Sequence, residues 1–225
     1  FLVILVILKK GSFGKLSLHS KVVITTTVAL LVIGTLLLKA TENISWLGAF
    51  FQSVSARTAG FSTYAIGEFS NAGLFTLIIL MFIGASPGST GGGIKTSTFF
   101  VLMQQVRSLF TKKHIGAFRR SIPSEALSKA CTISLLSVLL VCAGTFLLCI
   151  IEPECSFVQL LFEEVSAFGT VGLSTGITPD LCEGSKLILI FTMFAGRFST
   201  FTQLSIWIDR PSPSVHYTEE SITIG

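Results

Sequence analysis

Residues 21–38 and 126–151 form two apolar runs of about the ~20 residues that a helix needs to cross ~30 Å of hydrocarbon. In that setting every backbone N–H and C=O must find a partner within the chain, so both runs have to be helical. The threonine patch Thr25-Thr26-Thr27 is tolerable there, because threonine hydroxyls bond to carbonyls of their own helix. Composition agrees: half of the chain is apolar, 12% is charged, and the mean hydropathy is +0.78. Soluble domains carry about 25% charged residues. Too little polar surface is left to solvate a globule, and the expected fold class is an all-α integral membrane protein.

The remaining apolar stretches are of a different kind. Residues 44–56 and the amphipathic 157–168 are too short to span and suit segments that enter the membrane and turn back. Each is followed by a polar run of small residues: Thr58-Ala59-Gly60-Phe61-Ser62-Thr63, and Gly169-Thr170-Val171-Gly172-Leu173-Ser174-Thr175. Residues 73–85 are strongly apolar, break at Ser86-Pro87-Gly88-Ser89-Thr90-Gly91-Gly92-Gly93 and resume over 98–110, the pattern of a helix interrupted inside the membrane. A last apolar stretch begins at residues 186–195.

The chain repeats itself. Val54-Ser55-Ala56 recurs as Val165-Ser166-Ala167, Thr58-x-Gly60-x-Ser62-Thr63 as Thr170-x-Gly172-x-Ser174-Thr175, and Met81-Phe82-Ile83-Gly84 as Met193-Phe194-Ala195-Gly196. The last two blocks share one spacing, 112 residues. This predicts two tandem units, each made of a helix, a short re-entrant helix, a loop and a second helix. Their expected bounds are residues 21–110 and 125–208, joined by a basic cytoplasmic loop over 111–124. Residues 1–20 are expected to be the end of a preceding span and its link, as if cut from something longer, and 209–225 a cytoplasmic tail.

Irregular backbone survives at membrane depth only where it is buried in protein or lines a wet cavity. Carbonyls stacked along an axis supply such a reason, since they can replace the hydration shell of a monovalent cation. Glycine allows the backbone angles this needs and puts no side chain in the path, which singles out Gly60 and Gly172. The candidate ion-binding residues are Thr58, Ala59, Gly60 and Phe61 with Thr170, Val171, Gly172 and Leu173. A lone Thr-x-Gly is a common turn, but two copies, each behind a short apolar helix, are not. Neither loop holds a charge apart from Arg57 just before the first, which fits a carbonyl filter better than a charged ring. The re-entrant helices would aim their partly negative ends at the ion.

The interrupted helix suggests a gate formed by Ser86, Pro87, Gly88, Ser89, Thr90, Gly91, Gly92, Gly93 and Lys95. Four glycines exceed what a kink needs. A phosphate-binding loop fails on spacing, because Ile94 separates Gly93 from Lys95 and no strand precedes it. Arg197, which follows Gly196, is expected to pair with the carbonyls of this loop; a plainer reading has it snorkel to the cytoplasmic face. Glu163 and Glu164 lie on the second re-entrant helix, where they either add a cation-attracting field or, the reading preferred, face polar neighbours at its outer end; Glu68, Glu152, Glu154, Asp180 and Glu183 would enrich cations at the outer mouth.

The net charge of +4 comes from two clusters flanking apolar spans: Lys9, Lys10, Lys15 and Lys21, then Arg107, Lys112, Lys113, Arg119 and Arg120. That is membrane topology with both clusters cytoplasmic, and it gives no reason to expect nucleic acid. The five cysteines include no Cys-x-x-Cys pair, so metal is not expected; Cys131, Cys142 and Cys149 lie in one apolar span. Cys155 and Cys182 bracket the second loop on the outer side, where oxidation to a disulfide is chemically allowed. No intramembrane nucleophile sits with a base, so an enzyme is not expected. A carrier with alternating access is the rival reading. Two units that both start in the cytoplasm favour a pore.

Ser53-Val54-Ser55-Ala56-Arg57-Thr58-Ala59-Gly60-Phe61, Gly88-Ser89-Thr90-Gly91-Gly92-Gly93-Ile94-Lys95-Thr96 and Thr170-Val171-Gly172-Leu173-Ser174-Thr175 resemble the Trk/Ktr/HKT superfamily of potassium transporters, most of all the bacterial Ktr-type subunit. The resemblance implies one half of a four-unit pseudo-fourfold pore in the cell membrane of a bacterium. It further implies K+ as the transported ion with Na+ as a second candidate, a homodimer of pore subunits, and a cytoplasmic ring of nucleotide-binding regulatory subunits. It makes residues 86–96 the gate loop and Arg197 its partner. The sequence departs from the family after Gly196-Arg197, where Phe198-Ser199-Thr200-Phe201-Thr202 replaces a small residue followed by Gly-Pro and Thr.

Overall fold

A computed structural model describes residues 16–111, 116–118 and 120–197. The expectations for Lys9, Lys10, Lys15, Lys112, Lys113, Arg119, the Phe198–Thr202 departure and both chain ends lie outside the described residues.

Helix α1 spans Leu18–Thr41, with Ser17 accepting the Ser20 N–H at its start. After a short link, α2 spans Trp46–Ser55, capped by Ser45, whose hydroxyl accepts the Gly48 N–H at 3.0 Å. A 3-10 turn over Ile66–Glu68 leads to α3, Asn71–Phe82. The glycine-rich segment then separates α3 from α4, Thr96–Thr111. The second cycle repeats this order: α5 at Ser124–Ile151, α6 at Phe157–Phe168, a 3-10 turn at Thr178–Asp180, and α7 at Glu183–Arg197. Within the stretch read as a bare basic loop, Gly116–Ala117 (β1) and Arg120–Ser121 (β2) pair antiparallel, with the Lys21 ammonium 5.8 Å from the Phe118 ring centroid.

Among the described residues, α1 and α5 are the helices long and apolar enough to cross a bilayer. Apolar side chains face outward on both long helices. Val28, Val32, Ile33 and Leu36 on α1, and Leu135, Leu139 and Phe146 on α5, are exposed, while Gln52, Ser53, Glu163, Glu164, Ser185 and Thr192 are buried. The short helices pack behind the long ones, α2 on α1 and α6 on α5 and α7, and α3 packs on α6 to join the two cycles. Leu77 and Met81 of α3, Ala49 of α2, and Phe162 and Val165 of α6 form the shared core.

The two cycles are stitched alike at one end. Glu42, just past α1, accepts the Ser70 N–H at 3.0 Å and its hydroxyl at 2.6 Å at the start of α3. Glu152, just past α5, accepts the Cys182 N–H at 2.7 Å and the Ser185 hydroxyl at 2.8 Å at the start of α7. In each case a carboxylate meets the partly positive N-terminal end of a helix. The Cys182 amide, then the Ser185 hydroxyl, hold the Glu152 carboxyl below its usual range. Cys155 and Cys182 are free thiols, so no disulfide closes this end.

Candidate functional site

Each short helix ends in the same local device. The Ala59 and Gly60 N–H groups return to the Ser55 carbonyl at 3.0 and 3.1 Å, and the Val171 N–H returns to the Ser166 carbonyl at 2.9 Å. The chain then takes an alternating course: Thr58 (φ 74°) and Gly60 (φ 78°) flank Ala59, and Thr170 (φ 47°) and Gly172 (φ 94°) flank Val171. A β-branched residue at positive φ is a genuine outlier, so two threonines held there mark backbone conformations imposed by their surroundings.

Side chains behind the loops impose them. The Ser55 hydroxyl donates to the Phe61 carbonyl, and the Ser166 hydroxyl donates to the Leu173 carbonyl at 2.6 Å. One helical turn earlier, the Gln52 amide donates to the Ser62 hydroxyl at 2.7 Å. Its counterpart Glu163 accepts from the Ser174 hydroxyl (2.8 Å), the Thr175 N–H (2.8 Å) and hydroxyl (3.0 Å), and the Thr178 hydroxyl (2.7 Å). Glu163 thus faces polar neighbours, and it is the anchor of the second loop's far side. Glu164 is buried against Gly144 and accepts from the Thr192 hydroxyl at 2.8 Å.

The two loops meet. A Cβ on Gly60 would overlap the Val171 carbonyl oxygen, and a Cβ on Gly172 would come within 3.9 Å of the Gly60 Cα. Thr58, Ala59, Gly60 and Phe61 lie on the more open side, with Phe61 72% exposed, while Val171 and Leu173 are buried. A cavity of about 430 Å³ lies against the second loop, lined by Thr170, Val171, Gly172, Met193 and Arg197 among others.

The glycine-rich segment docks onto both loops. Ile83 and Ile94 form a parallel bridge, with the Ile94 N–H on the Phe82 carbonyl at 3.0 Å, so the segment leaves and returns at one point. Its tip, Gly88, Ser89 and Thr90, is exposed, Ser86 and Pro87 are half-buried, and the Ser89 hydroxyl donates to the Ser86 carbonyl at 2.7 Å. Its base is clasped. The Gly92 N–H donates to the Thr170 hydroxyl at 3.0 Å, and a Cβ on Gly92 would come within 2.9 Å of the Phe168 and Gly169 carbonyls. A Cβ on Gly91 would come within 3.0 Å of the Thr58 side chain. Gly93 takes positive φ (74°) against Gly84, and the Lys95 ammonium donates to the Gly91 carbonyl. Arg197 stands exposed at the end of α7; among the described residues it makes no hydrogen bond to this segment. The cation that does reach the segment's other root is Arg57, whose Nη2 donates to the Gly84 carbonyl at 3.1 Å.

Comparison with known proteins shows the family. The family model of the cation transport protein TrkH matches residues 3–216. The Ktr system potassium uptake protein B of Vibrio alginolyticus is 38% identical over 96% of this chain and 50% of its own length. The protein of the same name from Bacillus subtilis is 36% identical over 100% of this chain and 53% of its own. The potassium/sodium uptake protein NtpJ of Enterococcus hirae is 36% identical over 94% of this chain and 51% of its own. The crystal structure of the potassium transporter TrkH from Vibrio parahaemolyticus superposes with a TM-score of 0.67 over 84% of this chain and 43% of that one; at 22% identity it establishes a shared fold. The chain spans about half the length of the curated relatives it matches. The chain belongs to the TrkH family of cation transport proteins.

Proposed function

We propose that this chain supplies two pore units, residues 21–110 and 125–208, to a potassium uptake protein of the cell membrane. The observation that carries the reading is the alternation of positive φ at Thr58 and Gly60 and at Thr170 and Gly172, in two loops whose backbones touch. Reversing φ at every second residue turns successive carbonyls toward one side. Carbonyls of Thr58, Ala59, Gly60 and Phe61 and of Thr170, Val171, Gly172 and Leu173 then take the place of the ion's lost waters. The apolar exterior of α1 and α5 faces lipid, and the buried polar groups serve the path rather than the exterior.

The segment from Ser86 to Gly93, with Lys95, acts as the gate, since its base is seated on both Thr-x-Gly loops; Arg197 faces the cavity beside it. K+ is the cargo. The name of the Enterococcus hirae relative favours Na+ as a second ion, either coupled or co-permeant. A homodimer, completed by further pore units and controlled by a cytoplasmic nucleotide-binding ring, is the assembly this reading expects.

The test uses the protein expressed at full length and reconstituted into liposomes. Gly172→Ser lowers the preference for K+ over Na+, and unchanged selectivity counts against a carbonyl filter. Deleting residues 88–93 raises flux, and zero flux with normal expression counts against a gate.

A further inference from the structure

We infer that Arg57 is a positioning residue that holds the gate loop shut through the carbonyl of Gly84, coupling the first Thr-x-Gly loop to the loop beneath it. This rests on the reading of residues 86–93 as a gate. Arg57 stands immediately before Thr58, where α2 has ended, and its half-buried guanidinium reaches the root of the glycine-rich segment. Nη2 donates to Gly84 at 3.1 Å, while Nε is buried without a partner. Among the described residues no carboxylate lies within ion-pair distance of it. A half-buried cation is partly desolvated, and its hydrogen bond to that carbonyl is of the strong, charge-assisted kind.

Gly84 is the right residue through which to act. A Cβ there would overlap the Gly92 carbonyl oxygen, so the two backbones are in direct contact. Gly92 in turn donates to the Thr170 hydroxyl at 3.0 Å. Arg57, Gly84, Gly92 and Thr170 thus form a continuous series of contacts running from one Thr-x-Gly loop, across the base of the gate loop, to the other. On the far side Lys95 ties Gly91 within the loop itself, a bond that shapes the loop without fastening it to either neighbour. Arg57 is the cation that fastens it. At the equivalent position the second unit has the uncharged Phe168 and Gly169 ahead of Thr170.

A double-mutant cycle in the full-length protein tests this. In proteoliposomes, Arg57→Ala is expected to raise rubidium leak by roughly tenfold, the scale of one hydrogen bond from a charged donor. Arg57→Ala is expected to add nothing when residues 88–93 are already deleted. An equal rise in both backgrounds, or none in either, overturns the inference. If the deletion alone fails to raise leak, the gate reading fails, and Arg57 is judged by a second measurement. In a cysteine-free background carrying Ile94→Cys, buried at 5% exposure, Arg57→Ala is expected to speed reaction with a hydrophilic thiol reagent. An unchanged rate means that Arg57 does not hold the loop.

Discussion

Gly60 and Gly172 occupy equivalent positions in the repeat, yet replacing each with alanine should have unequal consequences. Both adopt positive φ, 78° and 94°, so either substitution carries a backbone penalty of about 1–2 kcal/mol. For Gly172 that is nearly the whole cost, since the new methyl would meet only the Gly60 Cα at 3.9 Å, an ordinary contact. For Gly60 the methyl would land on the Val171 carbonyl oxygen, far inside the 3.0 Å that real Cβ contacts do not cross. Val171 is buried, so its carbonyl cannot swing freely away, and a backbone shift in the second loop has to follow. The displaced atom is one of those proposed to coordinate the ion. Gly172→Ala is therefore expected to change K+ over Na+ preference by about tenfold at most, the equivalent of ~1.4 kcal/mol. Gly60→Ala is expected to exceed that and to lower expression as well. The assay is competition between the two ions for rubidium flux in proteoliposomes, with thermal melting as a control for folding. Equal effects, or a larger effect at Gly172, would refute the idea that the two loops share a contact at Gly60.

Three further outcomes follow from the supports behind the loops. Glu163→Gln replaces an acceptor of four hydrogen bonds with a group that is half donor; a melting temperature lower by an amount equivalent to about 1–3 kcal/mol is expected, together with reduced selectivity. Gly144→Ala drives a methyl into the Glu164 carboxylate, which Thr192 holds in place; overpacking of roughly 1–3 kcal/mol should show as a lower melting temperature, partly recovered by adding Glu164→Ala. Glu152, whose folded pKa is lowered, stabilises the fold above its unfolded value of about 4.3, and that contribution is lost as pH falls through the lower folded value. The fall of melting temperature with falling pH across that acid range should therefore be steeper in the parent than in Glu152→Gln.

The long helices were legible because lipid leaves apolar backbone no alternative: α1 and α5 extend only a few residues beyond the apolar runs at 21–38 and 126–151. The short α6 matches residues 157–168. What the sequence concealed were contacts between segments distant along the chain. The Val-Ser-Ala block already contained Ser55 and Ser166, but their bonds to Phe61 and Leu173 depend on how tightly the loop folds back. Gln52 and Glu163 share one position in the repeat with different chemistry, so matching letters could not find them. The second unit also holds one more residue between its Val-Ser-Ala and Thr-x-Gly blocks, which moved Phe168 to the place where Arg57 stands in the first. The pairing of Arg57 with Gly84, 27 residues on, had no local signature at all. The clasps made by Glu42 and Glu152 have no local signature either, because a helix N-terminus 28 or 30 residues away is invisible to spacing.

Those two glutamates give each module a fixed end. With Glu42 fastened to Ser70 and Glu152 fastened to Ser185, the rim where outer helix meets inner helix cannot spread without breaking charged hydrogen bonds. Removing either carboxylate would leave the N-terminal end of the helix it caps, α3 or α7, without that partner.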